Sequence, residues 1–189
     1  MIPGFKRVAM ATAVVSYPAC SPADYAWIQS VRREYDPLYF RLIDPHFPLV
    51  FPTEALKEAT LVEHVRSCVG DVLSFDVVFR CVLLGDPDFQ EHAHAFLVPD
   101  EGFSDIVRLH DRLYTGLLAG ELRLDLPFLP HVGIANAPTP AACKKIVDRL
   151  NAKPFEIRAR VEQLHIIGFD GEEVWEIERL PLLSQEKSD

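Results

Sequence analysis

Two histidines stand at matching positions in two similar stretches of the chain. Residues 45–53 read Pro-His, a short apolar run and Pro-Thr, and residues 130–139 repeat that order. His46 and His131 are 85 positions apart. An unperturbed imidazole has a pKa of about 6.5, so near pH 7 one histidine can be neutral while its partner is protonated. A pair of this kind can act as general base and general acid in one reaction.

The apolar runs that follow the histidines predict two short strands. Because side chains alternate between the faces of a strand, His46 shares a face with Pro48, and His131 shares a face with Gly133. If an approximate twofold axis relates the two stretches, these faces meet across a groove and the imidazoles converge. The pattern therefore predicts one site that is built from two parts of the chain.

A second echo supports two lobes of similar build. Residues 75–80 and residues 155–160 both begin with phenylalanine and an acidic residue, and both end with arginine. Each segment follows a predicted helix, as internal repeats of one supersecondary unit would. The alternative is a chance similarity between short apolar strings.

The remaining segments alternate between helical and strand periodicity. Helices are predicted to begin at residues 21–22, 53 and 139–140, where a hydroxyl side chain can cap the first turn, and a fourth covers residues 103–118. Strands are predicted over residues 8–16, 46–51, 72–84, 93–98, 131–135, 155–167 and 174–180, with a hairpin turn at 170–171. This order predicts a bilobed α+β fold in a single domain over residues 1–189. Its two pseudo-symmetric, mostly antiparallel sheets would be flanked by helices around a central groove. The prediction allows strands of one lobe to be exchanged into the sheet of the other.

Residues 45–52 and 127–135 resemble the two signature strands of the two-histidine phosphoesterases. This superfamily includes 2′-5′ RNA ligase-like proteins and cyclic nucleotide phosphodiesterases. The opening strand and residues 95–99 and 175–182 fit the same family, so the resemblance spans nearly the whole chain. It implies that His46 and His131 are the paired acid and base. It also implies that the substrate is a small cyclic phosphate or a 2′-5′-linked nucleotide, with no metal or other cofactor.

The chain departs from the family pattern at both hydroxyl positions. The pattern is His-x-Thr or His-x-Ser, whose hydroxyls hold the phosphate, and Pro48 and Gly133 stand in those places here. A hydrogen bond to a charged group contributes about 1.5–3 kcal/mol. Losing two without replacement would slow phosphate-ester chemistry by roughly two to four powers of ten. The backbone N–H of Gly133 offers partial compensation, whereas Pro48 has no N–H and predicts a strand that bulges or lies at a sheet edge.

Two functions from different classes follow from these departures. The leading hypothesis is a phosphoesterase that hydrolyses a cyclic phosphate or a 2′-5′-linked small nucleotide. The alternative is a non-catalytic nucleotide- or phosphate-binding module that kept the groove after both hydroxyls were lost. Binding of a cyclic nucleotide without turnover would favour the alternative.

Two further side chains are candidates for substrate binding. Tyr17 ends the first predicted strand just before a turn, where its ring could stack on a base, although core packing is the alternative. His94 lies on a strand after the first motif and is expected to line the groove. His92 and His94 share a strand face and could form half of a metal site. Glu91 points to the opposite face and the sequence offers no third ligand, so no metal site is predicted.

Composition limits the partners. The chain has 19 Lys and Arg against 28 Asp and Glu, a formal charge of −9, and so lacks the broad positive field that captures long nucleic acids. A small nucleotide or phosphate ester is the expected partner. No apolar run approaches the roughly 20 residues that span a bilayer, and the run at residues 8–15 is not followed by a small-x-small cleavage site. The four cysteines show no paired spacing, so we expect free thiols in a monomeric cytoplasmic protein.

Overall fold

The computed structural model describes residues 11–85 and 92–184. The strands are β1 (Ala11–Ser16), β2 (Ala19–Cys20), β3 (Phe47–Thr53), β4 (Phe75–Leu84), β5 (Ala93–Glu101), β6 (Val132–Ala137), β7 (Ile157–Val161), β8 (Gln163–Phe169) and β9 (Val174–Pro181). The helices are α1 (Pro22–Tyr35), α2 (Glu58–Val69), α3 (Phe103–Leu113) and α4 (Pro140–Leu150). A short 3₁₀ helix follows α3 at Gly116–Glu121. Residues 8–10 of the predicted first strand lie outside the described residues.

The strands form two antiparallel sheets. One sheet has the order β3-β1-β8-β9, and the other has the order β2-β7-β4-β5-β6. The predicted α+β class with two mostly antiparallel sheets is confirmed. The sheets also exchange strands, because β4 from the first half of the chain lies between β7 and β5, while β8 and β9 complete the sheet that contains β1.

The helices cross between the halves in the same manner. Helix α1 packs on β6, the strand that follows His131, and α3 packs on β3, the strand that follows His46. Each histidine strand is therefore supported by a helix from the other half of the sequence. Among the described residues, the larger of two apolar clusters contains residues of both sheets, and the stacked rings of Phe47 and Phe79, 5.6 Å apart, connect the sheets.

Two predicted helix starts are confirmed by their capping bonds. The Ser21 hydroxyl accepts a hydrogen bond from the Asp24 N–H at 3.1 Å. The Thr139 hydroxyl accepts one from the Ala142 N–H at 3.2 Å. In both helices a proline at the first helical position fixes the backbone and lacks an N–H that would otherwise stay unpaired.

The predicted helix start at Thr53 is wrong. Helix α2 begins five positions later, at Glu58, and Thr53 is the last residue of β3. The Thr53 hydroxyl donates to the Glu121 carboxylate at 2.7 Å and accepts from the Ala55 N–H at 3.0 Å. The hydroxyl therefore shapes a turn at the strand end, a role that competes with helix capping for the same side chain.

The predicted strand over residues 155–167 is two strands in different sheets. β7 ends at Val161 and pairs with β4, whereas β8 starts at Gln163 and pairs with β1. Both strands are rich in β-forming residues, so the local pattern contains no sign of the change of sheet at residue 162. The predicted end of β5 at Pro99 is also wrong, since β5 continues to Glu101.

The predicted helix over residues 103–118 is too long. Helix α3 ends at Leu113 with Tyr114 as its C-cap, and Gly116 then adopts a φ of 52°, a left-handed conformation that glycine tolerates. None of the helices in the described ranges is long and apolar enough to cross a membrane. Cys20, Cys68, Cys81 and Cys143 are unpaired.

Candidate active site

A cavity of about 510 Å³ lies between the two sheets. Its walls come from β1, β3, β8 and β9 of one sheet and from β5 and β6 of the other. His46 and His131 both line it, as do Pro48, Gly133 and His94. The structure thus brings together five of the six residues that the sequence analysis assigned to the site.

His46 and His131 are anchored in the same way. Each stands immediately before a strand, and each ring places Nδ1 against the carbonyl oxygen two residues earlier. The distances are 2.8 Å from His46 Nδ1 to Asp44 O and 2.7 Å from His131 Nδ1 to Leu129 O. Because a carbonyl oxygen only accepts, Nδ1 carries the proton in each neutral ring and Nε2 carries the lone pair. Both histidines can therefore accept a proton at Nε2.

The surroundings of both rings favour the neutral form. Burial is the main cause and lowers the pKa of each histidine to about 4. The carbonyl hydrogen bonds oppose this shift, while repulsion from His131 lowers the pKa of His46 further, and repulsion from His94 does the same for His131. Near pH 7 both rings are neutral in the ligand-free groove. A bound phosphate anion would favour protonation of one of them.

The residues at the two family hydroxyl positions leave different spaces. Pro48 lies on β3 and pairs with Val15 of β1 beside a shift in register. β3 is an edge strand, so the predicted edge position is confirmed. Gly133 pairs with Phe96, and a Cβ atom built on Gly133 would have no heavy atom within 4 Å. A larger side chain at residue 133 would therefore project into open groove.

The two predicted substrate-binding side chains differ in position. Tyr17 does not line the cavity, and its ring lies edge-on to His46 at 6.1 Å and to His165 at 4.7 Å. Burial raises the pKa of Tyr17 to about 12. The ring thus packs beside His46 instead of facing the groove. His94 does line the cavity, and it is only 8% exposed.

A buried ion pair at the cavity wall was missed by the sequence analysis. Arg32 Nε donates to Asp36 at 3.0 Å, and its Nη2 donates to the carbonyl oxygens of Tyr39 and Ile43. Asp36 also accepts a hydrogen bond from Asn136 Nδ2 at 2.5 Å. The sequence spacing could have predicted that Arg32 faces inward, because it lies one helical turn after Ile28, which is buried.

A metal centre needs several ligating side chains close together. Within residues 11–85 and 92–184, no group of three or more histidine, cysteine, aspartate or glutamate side chains is placed to hold a metal ion. Glu91, which the sequence analysis placed opposite His92 and His94, lies outside these ranges.

Comparisons with known proteins agree with this architecture. The model of the 2′-5′ RNA ligase superfamily matches residues 20–173. A protein of Bacillus cytotoxicus whose name describes it as a phosphoesterase is 25% identical over 170 residues, which cover 89% of this chain and 94% of the relative. A similarly named protein of Geobacillus kaustophilus is 23% identical over 156 residues, 82% of this chain and 85% of the relative.

Solved structures show the same fold. Escherichia coli LigT in complex with 3′-AMP superposes with a TM-score of 0.55 at 14% identity, covering 90% of this chain and 98% of LigT. LigT in complex with phosphate gives a TM-score of 0.53 at 14% identity, covering 93% and 99%.

Proposed function

The chain belongs to the 2′-5′ RNA ligase superfamily, and we propose that it is a phosphoesterase in which His46 and His131 act as the acid–base pair. The proposed substrate is a small nucleotide with a cyclic phosphate or a 2′-5′ linkage. One observation carries the proposal: the two imidazoles line one cavity and are anchored by equivalent carbonyl hydrogen bonds. Relatives named as phosphoesterases, and LigT in complexes with 3′-AMP and phosphate, support the same chemical class.

Hydrolysis of a cyclic phosphodiester needs two proton transfers. The Nε2 lone pair of one histidine takes a proton from water while the water oxygen attacks phosphorus. The other histidine, protonated at Nε2, gives its proton to the leaving ribose oxygen, and a phosphate monoester results. Because the pKa of both rings is depressed, the histidine that acts as base is already neutral near pH 7. The histidine that acts as acid gains its proton when the anionic substrate enters the groove.

The two strands are expected to contribute unequally to phosphate binding. Gly133 retains a backbone N–H and leaves open space beside it, so a phosphate oxygen can approach the β6 backbone closely. Pro48 offers neither an N–H nor a polar side chain. Most of the phosphate contacts would therefore come from the β6 side of the cavity.

The second candidate function is a binding module without turnover. The absence of a hydroxyl at both Pro48 and Gly133 favours it, since those positions hold the phosphate in the family pattern. In that case the groove would still take a nucleotide, and the histidines would serve as neutral hydrogen-bonding groups.

Calorimetry and a product assay on a 2′,3′-cyclic nucleotide separate the two functions. We expect the parent protein to bind the nucleotide and release a nucleoside monophosphate, and the double variant His46→Asn, His131→Asn to release none. His64→Asn is the matched control, because His64 lies outside the cavity and bonds the Leu113 carbonyl oxygen. Binding without product in the parent would establish the binding module, and equal turnover in the double variant would exclude these histidines as the acid–base pair.

A further inference from the structure

A second cavity of about 600 Å³ adjoins the first. The two cavities share six wall residues, which we call the junction. Three of them are aromatic and three are basic: Phe51, Phe96, Tyr114, His94, Arg123 and His131. Aromatic rings can stack on a base, and basic side chains bind phosphate oxygens. A single ligand can therefore extend from the histidine pair through the junction.

The strand register places His94 beyond the reaction centre. His94 lies opposite Asn136, near the end of β6, and Phe96 lies opposite Gly133. His131 precedes Val132 at the start of β6, so it stands at the other end of the strand from Asn136. The Phe96 ring is 3.9 Å from the ring of His131 and 6.0 Å from that of His94. Phe96 thus separates His94 from a phosphate held between His46 and His131. A second group of the ligand, further along the groove, is what His94 can reach.

His94 has an unsatisfied hydrogen-bonding atom. The side chain is more than nine-tenths buried, and its Nε2 has no hydrogen-bond partner among the described residues. Buried polar atoms without a partner are uncommon in folded proteins, and each one calls for a partner such as a ligand or an ordered water, or for strain at the site. His94 lines both cavities, so its ring lies next to the space that a ligand in either one would occupy.

Arg123 supplies a guanidinium group to the same wall. Its side chain is 49% exposed, and its Nε and Nη2 donate to the Asp125 carboxylate at 2.7 Å and 2.5 Å. A phosphate would compete with the Asp125 carboxylate for this fork, because a guanidinium group binds both oxyanions in the same geometry. The carboxylates that line the two cavities each accept a hydrogen bond from a neighbouring side chain: Asp36 from Arg32, Glu121 from Thr53, Asp111 from His110 and Asp125 from Arg123.

We propose that the junction binds a second phosphate group of the ligand through His94 and Arg123. The inference rests on the proposed function, since the first phosphate is the one that lies between His46 and His131. The ligand class is then a nucleotide that carries two separate phosphate groups. The base of that nucleotide would stack on the aromatic half of the junction.

The test compares adenosine 3′-phosphate with adenosine 3′,5′-bisphosphate by calorimetry at one salt concentration. We expect the parent to bind the bisphosphate about tenfold or more tightly than the monophosphate, the gain typical of hydrogen bonds to a charged group. His94→Leu and Arg123→Gln should bring the ratio of bisphosphate to monophosphate affinity close to one. Because each ratio is taken within one variant, it also allows for any change in monophosphate affinity. His94→Gln, which keeps a donor near the Nε2 position, should retain part of the advantage.

Matched controls lie outside both cavities. His92→Gln removes a histidine two residues from His94, and Arg108→Gln removes an exposed arginine that pairs with Asp105. Both should keep the full advantage. If His94→Leu does not fold, as judged by thermal melting, Arg123→Gln and His94→Gln decide the question.

Three results would overturn the inference. These are no bisphosphate advantage in the parent, an advantage that survives in His94→Leu and Arg123→Gln, or an equal loss of affinity for both ligands. A parent that hydrolyses a cyclic nucleotide without any bisphosphate advantage would refute only the second phosphate site. A parent that neither binds the monophosphate nor turns over a cyclic nucleotide would refute the proposed function itself.

Discussion

The strands that follow the two histidines are alike in position and different in chemistry. β3 and β6 are both edge strands of their sheets, and each begins directly after a histidine whose Nδ1 is held by a carbonyl oxygen. Two residues after the histidine, β3 carries Pro48 and β6 carries Gly133. An edge strand tolerates proline, because its outer N–H groups need no partner strand. The shared geometry preserves the histidine pair, and the difference lies in the groups beside it.

The surroundings of the two rings differ as well. On the β3 side, Tyr17 packs edge-on between His46 and His165, whose Nδ1 lies 2.6 Å from the Glu176 carboxylate. On the β6 side, the Phe96 ring stacks near His131 and continues to His94. His46 therefore packs against a cluster of polar side chains, whereas His131 lies at the junction of the two cavities. We expect β6 to be the ligand-binding half of the groove.

Removing either imidazole should have the largest effect. We expect His46→Asn or His131→Asn to lower kcat/KM on a 2′,3′-cyclic nucleotide by about 10²–10⁴-fold, and the double variant to lose little more, because the two groups act as a unit. Steady-state rates on purified, folded variants provide the measurement. Two losses that simply multiply would contradict a concerted pair, and a loss confined to one variant would restrict catalysis to one half.

Restoring a hydroxyl should help more on β6 than on β3. A Cβ at residue 133 meets no neighbour, so Gly133→Ser places its hydroxyl in the groove without strain, and kcat/KM should rise about tenfold or more. Pro48→Thr also changes an edge strand beside a register shift, so its gain should be smaller. Gly133→Ala is the matched control, since it adds the Cβ without the hydroxyl. A larger gain from Pro48→Thr would reverse the comparison.

The sequence predicted the histidine pair because each histidine precedes a short strand with a strong local pattern. The caps of α1 and α4 were equally local, since one hydroxyl and one proline define each start. Arg32 was missed although its spacing from Ile28 places it on the inward face of α1. The groups that make burial of its charge favourable, Asp36 and the surrounding carbonyl oxygens, come together only in the folded chain. The change of sheet between β7 and β8 is a property of strand exchange, which a single strand pattern does not encode.

The pH dependence should differ between the free protein and the complex. With both pKa values at about 4, the protonated fraction of the catalytic acid falls tenfold per pH unit above that value. We therefore expect kcat/KM to decline between pH 5 and pH 8, while kcat declines at higher pH because the bound anion raises the pKa of the acid. A kcat/KM that rises across this range would contradict two depressed pKa values.

The variant Asp44→Asn tests which histidine causes the decline of kcat/KM between pH 5 and pH 8. The Asp44 carboxylate raises the pKa of His46, whereas the charge that acts on His131 is that of His94. The backbone carbonyl of residue 44, which anchors His46, survives the substitution. If His46 is the protonated acid, the decline of kcat/KM should move to lower pH in this variant. An unchanged decline would assign the role of acid to His131.

Acid should weaken the fold through the same two rings. Their pKa is about 4 in the folded protein and about 6.5 when unfolded, so the unfolded chain binds more protons between these values. Stability is therefore complete above about pH 6.5 and falls as pH drops toward 4, by at most about 1.4 kcal/mol per pH unit for each histidine. Urea midpoints at pH 7.5, 6.5, 5.5 and 4.5 measure this slope.

Because His94 and His110 also have depressed pKa values, the double variant His46→Asn, His131→Asn should keep a slope that is reduced but not abolished. Equal reductions in the two single variants would mean that the halves bury their histidines alike, so that they differ only in the groups that meet the ligand. A slope identical to that of the parent would show that neither ring is held neutral by the fold.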